Sequence, residues 1–302
     1  MAVVDLDKFR RERTYRTQAP GSQVLKDLDV LRNLDTHHER LQQQTGHVGC
    51  GALLAAVALL ILVFNTNAFE EPTLHPVAAW GSGLLLVTGV IAFILRFRHA
   101  RLNLEDRRYQ LATRLVQMIQ ADTAPEELMT VEIDLRPATD SDKLSGKGKT
   151  PGGWDVKHYV DRWLSLQGRL MDGTHLRVEM TERTDQRSRT KRSRSGKYKT
   201  KSKTQSDALV RVRLQVKPEK YQHLGRLGAR ARNAVQLPQG TRLRALSVEE
   251  DRLDMTILVS QSWSADNKPP MVNGVQVVAM SLLSLYQLLH LSRAIDKRAA
   301  HA

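Results

Sequence analysis

Between Arg183 and Lys203 the chain carries ten lysines or arginines and a single acid, Asp185. Their spacing has a phase. Arg183, Arg187, Arg189 and Lys191 keep one parity, Lys197, Lys199, Lys201 and Lys203 keep one parity, and Ser and Thr fill most of the gaps. Side chains of an extended chain alternate between faces, so this spacing gathers most of the cations on one side of a two-stranded arm. The arm, spanning 183–206, is expected to turn near Ser195-Gly196, to slip in register at Arg192, and to reach roughly 33 Å beyond the sheet that carries it. Its chemistry is electrostatic. Each cation near an anionic leaflet is worth about 1 kcal/mol, and contacts to nucleic-acid phosphates give an affinity that falls steeply with salt. An isolated hairpin with like charges on one face is marginal in water, so the arm is expected to order against an anionic partner, lipid or nucleic acid. Tyr198 is its one aromatic, which disfavours an aromatic stacking platform for single strands. The candidate contact residues are therefore Arg183, Arg187, Arg189, Lys191, Arg192, Arg194, Lys197, Lys199, Lys201 and Lys203, with Arg96, Arg98 and Arg101 as a juxtamembrane group.

Other residue types with chemical promise lack the partners they need. SGKGKT at 145–150 resembles a phosphate-binding loop, but position 143 is Lys rather than the required Gly, and Pro151-Gly152-Gly153 follows instead of a helix. It reads as a flexible basic loop. His37-His38-Glu39 has no further ligand at metal spacing. Glu132 and Asp134 lie two apart on one strand face, without more oxygen ligands nearby. No Gly-x-Ser-x-Gly and no paired Cys/His arrangement occurs. The expectation is no cofactor, no metal and no catalytic residue, which favours an interaction protein over an enzyme.

The elements that must position the arm begin with two apolar runs. No charged residue occurs from Leu41 to Phe69 or from Pro72 to Leu95, and about 20 apolar residues suffice to cross a bilayer as a helix. They predict a transmembrane hairpin at 48–96, with spans 48–65 and 77–96. Lys26, Arg32 and Arg40 precede the hairpin and Arg96, Arg98, Arg101, Arg107, Arg108 and Arg114 follow it, while the connecting loop carries only Glu70 and Glu71, so both termini are expected on the cytoplasmic side of the plasma or inner membrane. Cys50, the only cysteine, lies within the first span and excludes an internal disulfide. The charged N-terminus, with no cleavage site ahead of the first run, reads as preceding an uncleaved span rather than forming a signal peptide. Small residues at Gly49, Ala52, Ala56, Gly81, Gly83 and Gly89 suit close helix packing, within the hairpin or between copies in a homo-oligomer.

Residues 1–21 are polar and read as an unstructured or weakly helical tail. An amphipathic helix over 22–47 and another over 97–124 leave the membrane on the same side, and either pair as an antiparallel coiled-coil stalk or pack separately on the soluble domain. From Leu128 the hydrophobic period becomes two, as in MTVEIDLR. Strands follow at 159–171 and 174–183, joined by Asp172-Gly173 in a type I′ turn, then at 208–216, 241–249 and 252–262. A helix from Asn273 to Arg298 closes the chain. It lacks charge from Pro269 to Ser292, so a third span is conceivable, but Gln276, Ser281, Ser284, Gln287 and His290 recur as a wetter stripe, which favours packing on the sheet. The fold class is thus α+β over 125–302, an antiparallel sheet of five or six strands with a long C-terminal helix. This arrangement resembles a helix-grip domain, and the resemblance implies a cavity beneath the helix without implying a function.

With a net charge of +14, the chain reads as a membrane-anchored interaction or sensor protein whose cytosolic domain meets an anionic lipid or nucleic-acid partner. Two alternatives are an oligomeric membrane effector or channel built from the hairpin, and a tethered cavity domain that binds a lipid or other small molecule.

Overall fold

The computed structural model describes residues 5–65, 74–102, 104–193, 196–260 and 262–300. Glu70 and Glu71 of the expected connecting loop, and Arg194 and Ser195 of the expected arm, lie outside the described residues. The chain divides into two units, Asp29–Leu104, and Met1–Leu28 together with Glu105–Ala302.

The smaller unit holds most of helix α2, Gly21–Asn65, and helix α3, Leu74–Leu102. Glycine decides where these helices touch. A Cβ on Gly49 would meet Ala92 Cβ and Phe93 at 3.3 Å, and one on Gly89 would meet Leu53 at 2.9 Å, so bare backbone is what lets the pair approach. Val48, Leu54, Val57, Leu84, Val87 and Ile94 point away and are exposed. A helix apolar on all sides needs an apolar surrounding. The hydroxyls of Thr45 and Thr88 are satisfied within their helices by Leu41 O at 2.7 Å and Leu84 O at 2.8 Å. Among the described residues three helical segments are long and apolar enough to cross a membrane, within Gly21–Ile61, Trp80–Arg98 and Gly274–Ile295.

The larger unit is an eight-stranded antiparallel sheet covered on one face by helices. Its strands are β1 (Thr14–Pro20), β2 (Leu128–Asp134), β3 (Leu144–Lys149), β4 (Asp155–Arg169), β5 (His175–Arg192), β6 (Tyr198–Gln215), β7 (Thr241–Val248) and β8 (Arg252–Val259). They run in the order β1-β2-β4-β5-β6-β8-β7, with β3 paired to β4. The inward residues are the ones alternation selects: Met129, Val131 and Ile133 on β2, Leu176, Val178 and Met180 on β5, and Val210, Val212 and Leu214 on β6 are all buried. Helix α4, Asp106–Gln120, lays Leu111, Leu115 and Ile119 on this face, and helix α6, Gly274–Ala300, lays Val277, Leu285, Leu288 and Leu289. Each fully buried Leu contributes about 1.5–3 kcal/mol of transfer free energy. Asn273 caps α6 by accepting from Val275 N at 3.0 Å and Gln276 N at 3.2 Å.

The structure differs from several of the expectations above. Residues 6–20 are not a tail: α1, Leu6–Glu12, is capped by Asp5, and β1 pairs with β2 along its whole length, with Tyr15 buried and its hydroxyl donating to Asp27 at 2.9 Å. With β3 this raises the sheet from the expected five or six strands to eight. The helix expected over 97–124 is interrupted: α3 ends at Leu102 and α4 begins at Asp106, because the apolar face of α4 belongs to the sheet. Asp172-Gly173 is not a type I′ turn. Only Gly173 has positive φ, +88°, and Gly173 N donates to Leu170 O at 2.9 Å, which makes a type I turn closed by a left-handed glycine. Ser281 and Ser284 of the supposed wetter stripe are buried, their hydroxyls satisfied by Val277 O and Met280 O, while Gln276, Gln287 and His290 are exposed.

Candidate anion-binding face

Strands β5 and β6 run past the helical layer as a wing. Their pairing is unbroken from His175↔Gln215 to Arg192↔Tyr198, so the slip expected at Arg192 does not occur. The tip closes through Ser193 N to Lys197 O at 2.7 Å and Gly196 N to Ser193 O at 3.0 Å, with Gly196 at φ +79°. The wing is broader than the two-stranded arm the charge pattern suggests. β4 accompanies β5 as far as Asp155↔Ser188, and β3 pairs with β4 from Leu144↔Tyr159 to Lys149↔Asp155. The SGKGKT stretch is therefore an edge strand rather than a loop. Only Arg189–Arg192 and Tyr198–Lys201 form a free ribbon, about 13 Å long at roughly 3.3 Å per residue.

The register places the cations. Arg187 stands opposite Lys203, Arg189 opposite Lys201, and Lys191 opposite Lys199, all on the outer face of the sheet that carries Arg177 and Glu179 lower down. Arg183 stands on the same face opposite Asp207. Asp185 accepts from His158 Nδ1 at 2.6 Å and from Arg187 at 3.3 Å. Its partial burial would raise its pKa, but these two donors outweigh that and hold the carboxyl below the usual range. Among the described residues no acid pairs with Arg183, Arg189, Lys191, Lys199, Lys201 or Lys203. Arg192 faces the other way, opposite Tyr198, and Lys197 sits in the turn. Of the juxtamembrane group, Arg96 and Arg98 are exposed on α3, and the side chain of Arg101 lies outside the described residues.

Four contributors were hidden from the linear pattern. Trp154, at the turn into β4, lies beneath Lys203, whose Nζ is 5.9 Å from the ring centroid. Lys147 stands opposite Lys157 on the reverse face of the wing. Arg162 joins the outer face, opposite Thr181, because the chain bulges between Arg162 and Leu164 and turns Trp163 into the core. Sequence distance concealed Trp154, and Gly and Lys alternation in SGKGKT was the one available sign of β3.

Lower on the outer face, charges are matched. A depression of about 820 Å³ is lined by Arg162, Arg177, Arg183, Leu209, Arg211 and Arg213 among others. Within it Arg177 meets Glu179 at 2.6 Å, and its Arg211 and Arg213 pair with Asp254 at 2.6 Å and 2.9 Å. Burial would raise the Asp254 pKa, yet the two guanidiniums keep it low. Glu132 pairs with Arg16 at 2.5 Å, and Asp134 with Arg136 at 2.9 Å and Lys143 at 3.3 Å, so both carboxylates already have cationic partners.

On the helical face, beneath α4, lies a buried charge cluster. Arg108 is wholly buried and meets Glu105 at 2.7 Å, Asp161 at 2.7 Å and Glu182 at 2.9 Å. Arg107 reaches Glu182 at 2.7 Å, and Lys143 reaches Asp161 at 2.9 Å. Trp163 and Trp263 stack at 5.3 Å, with the Arg107 guanidinium 4.4 Å over Trp263 and that of Arg108 5.3 Å over Trp163. Burial opposes the charge on Arg108, but the three carboxylates more than offset it and raise its pKa. Arg107 and Arg108 read from sequence as membrane-flanking charges. They are instead consumed inside the domain.

An apolar depression of about 600 Å³ lies between α4, α6 and the turn after β4, lined by Met118, Leu170, Met171, Leu282, Leu283 and Tyr286 among others. Tyr286 donates to Asp172 at 3.0 Å, and burial followed by that carboxylate pushes the phenol pKa up. No protein-family model matches the chain, and comparisons with curated proteins and with solved structures give no match.

Proposed function

We propose that the chain is a membrane-anchored, non-enzymatic interaction protein whose wing binds an anionic partner, inner-leaflet headgroups or nucleic acid. The observation that carries this reading is the ladder Arg187–Lys203, Arg189–Lys201 and Lys191–Lys199. Like charges directly opposite on a sheet destabilise it, each rung by about 0.2–1 kcal/mol. An anion lying along the ladder removes that repulsion and replaces it with attraction. In this reading α2 and α3 cross the bilayer as a hairpin, supported by their outward apolar side chains, and Arg96 and Arg98 at the end of the second span keep both termini on the cytoplasmic side. α6 covers the sheet, where its buried stripe of Val277, Val278, Leu285, Leu288 and Leu289 is used.

The test is replacement of Arg187, Arg189, Lys191, Lys199, Lys201 and Lys203 by Ser in the full chain. Binding to phosphatidylserine vesicles and to nucleic acid should both be lost; a variant that binds both as well as the parent sinks the reading. A second reading, favoured by the apolar depression beside Tyr286, is a tethered domain that holds a lipid or other apolar small molecule. Native mass spectrometry of the detergent-purified protein would show that molecule bound, and a Leu283→Arg variant should lose it.

A further inference from the structure

We infer that the partner of the wing is duplex DNA, with the tip entering the major groove; this rests on the anion-binding reading and narrows it. A flat leaflet can touch one face of a sheet, and cations on the reverse face then contribute little. The wing is cationic on both. Its outer face carries the three like-charged rungs, and its reverse face carries Lys147 opposite Lys157, with Arg192 at the tip. A groove supplies a phosphate wall on each side, which is the arrangement two cationic faces match.

Composition and dimensions agree with this choice. From Thr184 to Thr204 the chain contains no Leu, Ile, Val, Phe, Met or Trp, so the ribbon has nothing to bury among acyl chains. The reverse face of the tip presents hydroxyls instead, Thr190 and Thr200 lying 2.9 Å apart beside Arg192 and Tyr198. These groups can donate to and accept from base edges. Two strands about 4.8 Å apart fit a B-form major groove about 12 Å wide. Only the free ribbon enters; the four-stranded base is too wide and stops at the rim, where Lys147, Lys157 and Arg187 reach flanking phosphates. The deep, narrow major groove of an RNA duplex refuses such a ribbon. A single strand would want stacked aromatics, and Trp154 is already covered by Lys203.

The experiment uses the full chain in neutral phosphatidylcholine nanodiscs. Fluorescence anisotropy reads binding to a random-sequence DNA duplex two turns long and to the RNA duplex of the same sequence. Co-flotation reads association of the same discs with phosphatidylserine vesicles. The DNA affinity should fall about 10³-fold between roughly 50 and 200 mM salt, as for about six phosphate contacts, and RNA should bind at least tenfold more weakly. The variant Lys147→Ser with Lys157→Ser should weaken DNA binding several-fold and lower the salt slope by about 2, while leaving vesicle association unchanged. Both lysines are exposed, so folding is preserved, and far-ultraviolet circular dichroism verifies it. Equal binding of RNA, or a DNA affinity and slope indifferent to the two lysines, overturns the groove geometry. Binding to vesicles without binding to DNA overturns this inference and leaves the anion-binding reading intact. Binding to neither removes both.

Discussion

Glu182 and Arg183 are neighbours on β5 and live in opposite electrostatic worlds. Glu182 is buried and held by Arg107 and Arg108 at 2.7 and 2.9 Å. Arg183 points to the other face, exposed and without an acidic partner among the described residues. The helical side of the sheet matches Arg107, Arg108 and Lys143 against Glu105, Asp161 and Glu182, cation for carboxylate. The outer face toward the tip accumulates cations with only Asp185 and Asp207 among them. Buried charge must be neutralised within the fold, since desolvation leaves no other recourse. Exposed charge is solvated by water and is under no such constraint. The difference lies in whether the pairing is complete, not in residue type.

The largest expected effect breaks the matched side. Arg108→Ala leaves Asp161 and Glu182 buried with reduced compensation and should cost about 3–5 kcal/mol in urea unfolding. Glu182→Gln keeps the shape but removes one charged acceptor, and a loss of about 2 kcal/mol is expected by the same measurement. On the surplus side the sign reverses. Replacing the six residues of the three rungs by Thr relieves three like-charge pairs and adds β-branched residues, so the variant should gain about 1 kcal/mol while losing anion binding. If stability falls instead, the ladder is part of the fold and the contrast between the faces fails.

The core side of this contrast was legible from the start. Alternation in β2, β5, β6 and β8 is strong because each strand buries every second residue under a helix. The same rule correctly put Arg187, Arg189 and Lys191 on one face. What escaped were elements whose partners are distant or whose residues are small. β1 buries only Tyr15 and Ala19 and ends in Pro20, too little pattern to separate from a tail. β3 is Gly and Lys at a sheet edge, where no core face imposes a hydrophobic period. Arg107 and Arg108 follow an apolar run, and nothing local says that Asp161 and Glu182 will claim them from more than fifty residues away. Trp154 joins the cationic face only through the pairing of β4 with β5.

Acid should discriminate the paired charges from the surplus ones more gently. Asp134 and Asp254 are held below the ordinary carboxyl range, burial being outweighed by Arg136 and Lys143 for the first and by Arg211 and Arg213 for the second. Unfolded, such groups titrate near about 3.9. Between the folded and unfolded values the unfolded chain binds more protons, so their stabilisation is complete above about pH 4 and disappears as the pH falls through the folded values. Asp254→Asn should therefore flatten the acid limb of a stability–pH curve, whereas Thr at Arg189, Lys191, Lys199 and Lys201, which pair with no acid among the described residues, should leave it nearly unchanged.

The smallest expected effect is the most pointed. Asp185 is the acid set among the rungs' cations, bonded to His158 and Arg187. Exposed pairs of this kind contribute about 0–1 kcal/mol, so Asp185→Asn should hardly move the melting temperature. If the outer face serves an anion, the same change should tighten binding by up to about fivefold, the worth of one charge near such a partner. A titration of the variant against duplex DNA and anionic vesicles checks this. Unchanged affinity would mean that the ladder near Arg187 does not touch the partner, and would confine any contact to the free ribbon beyond Ser188.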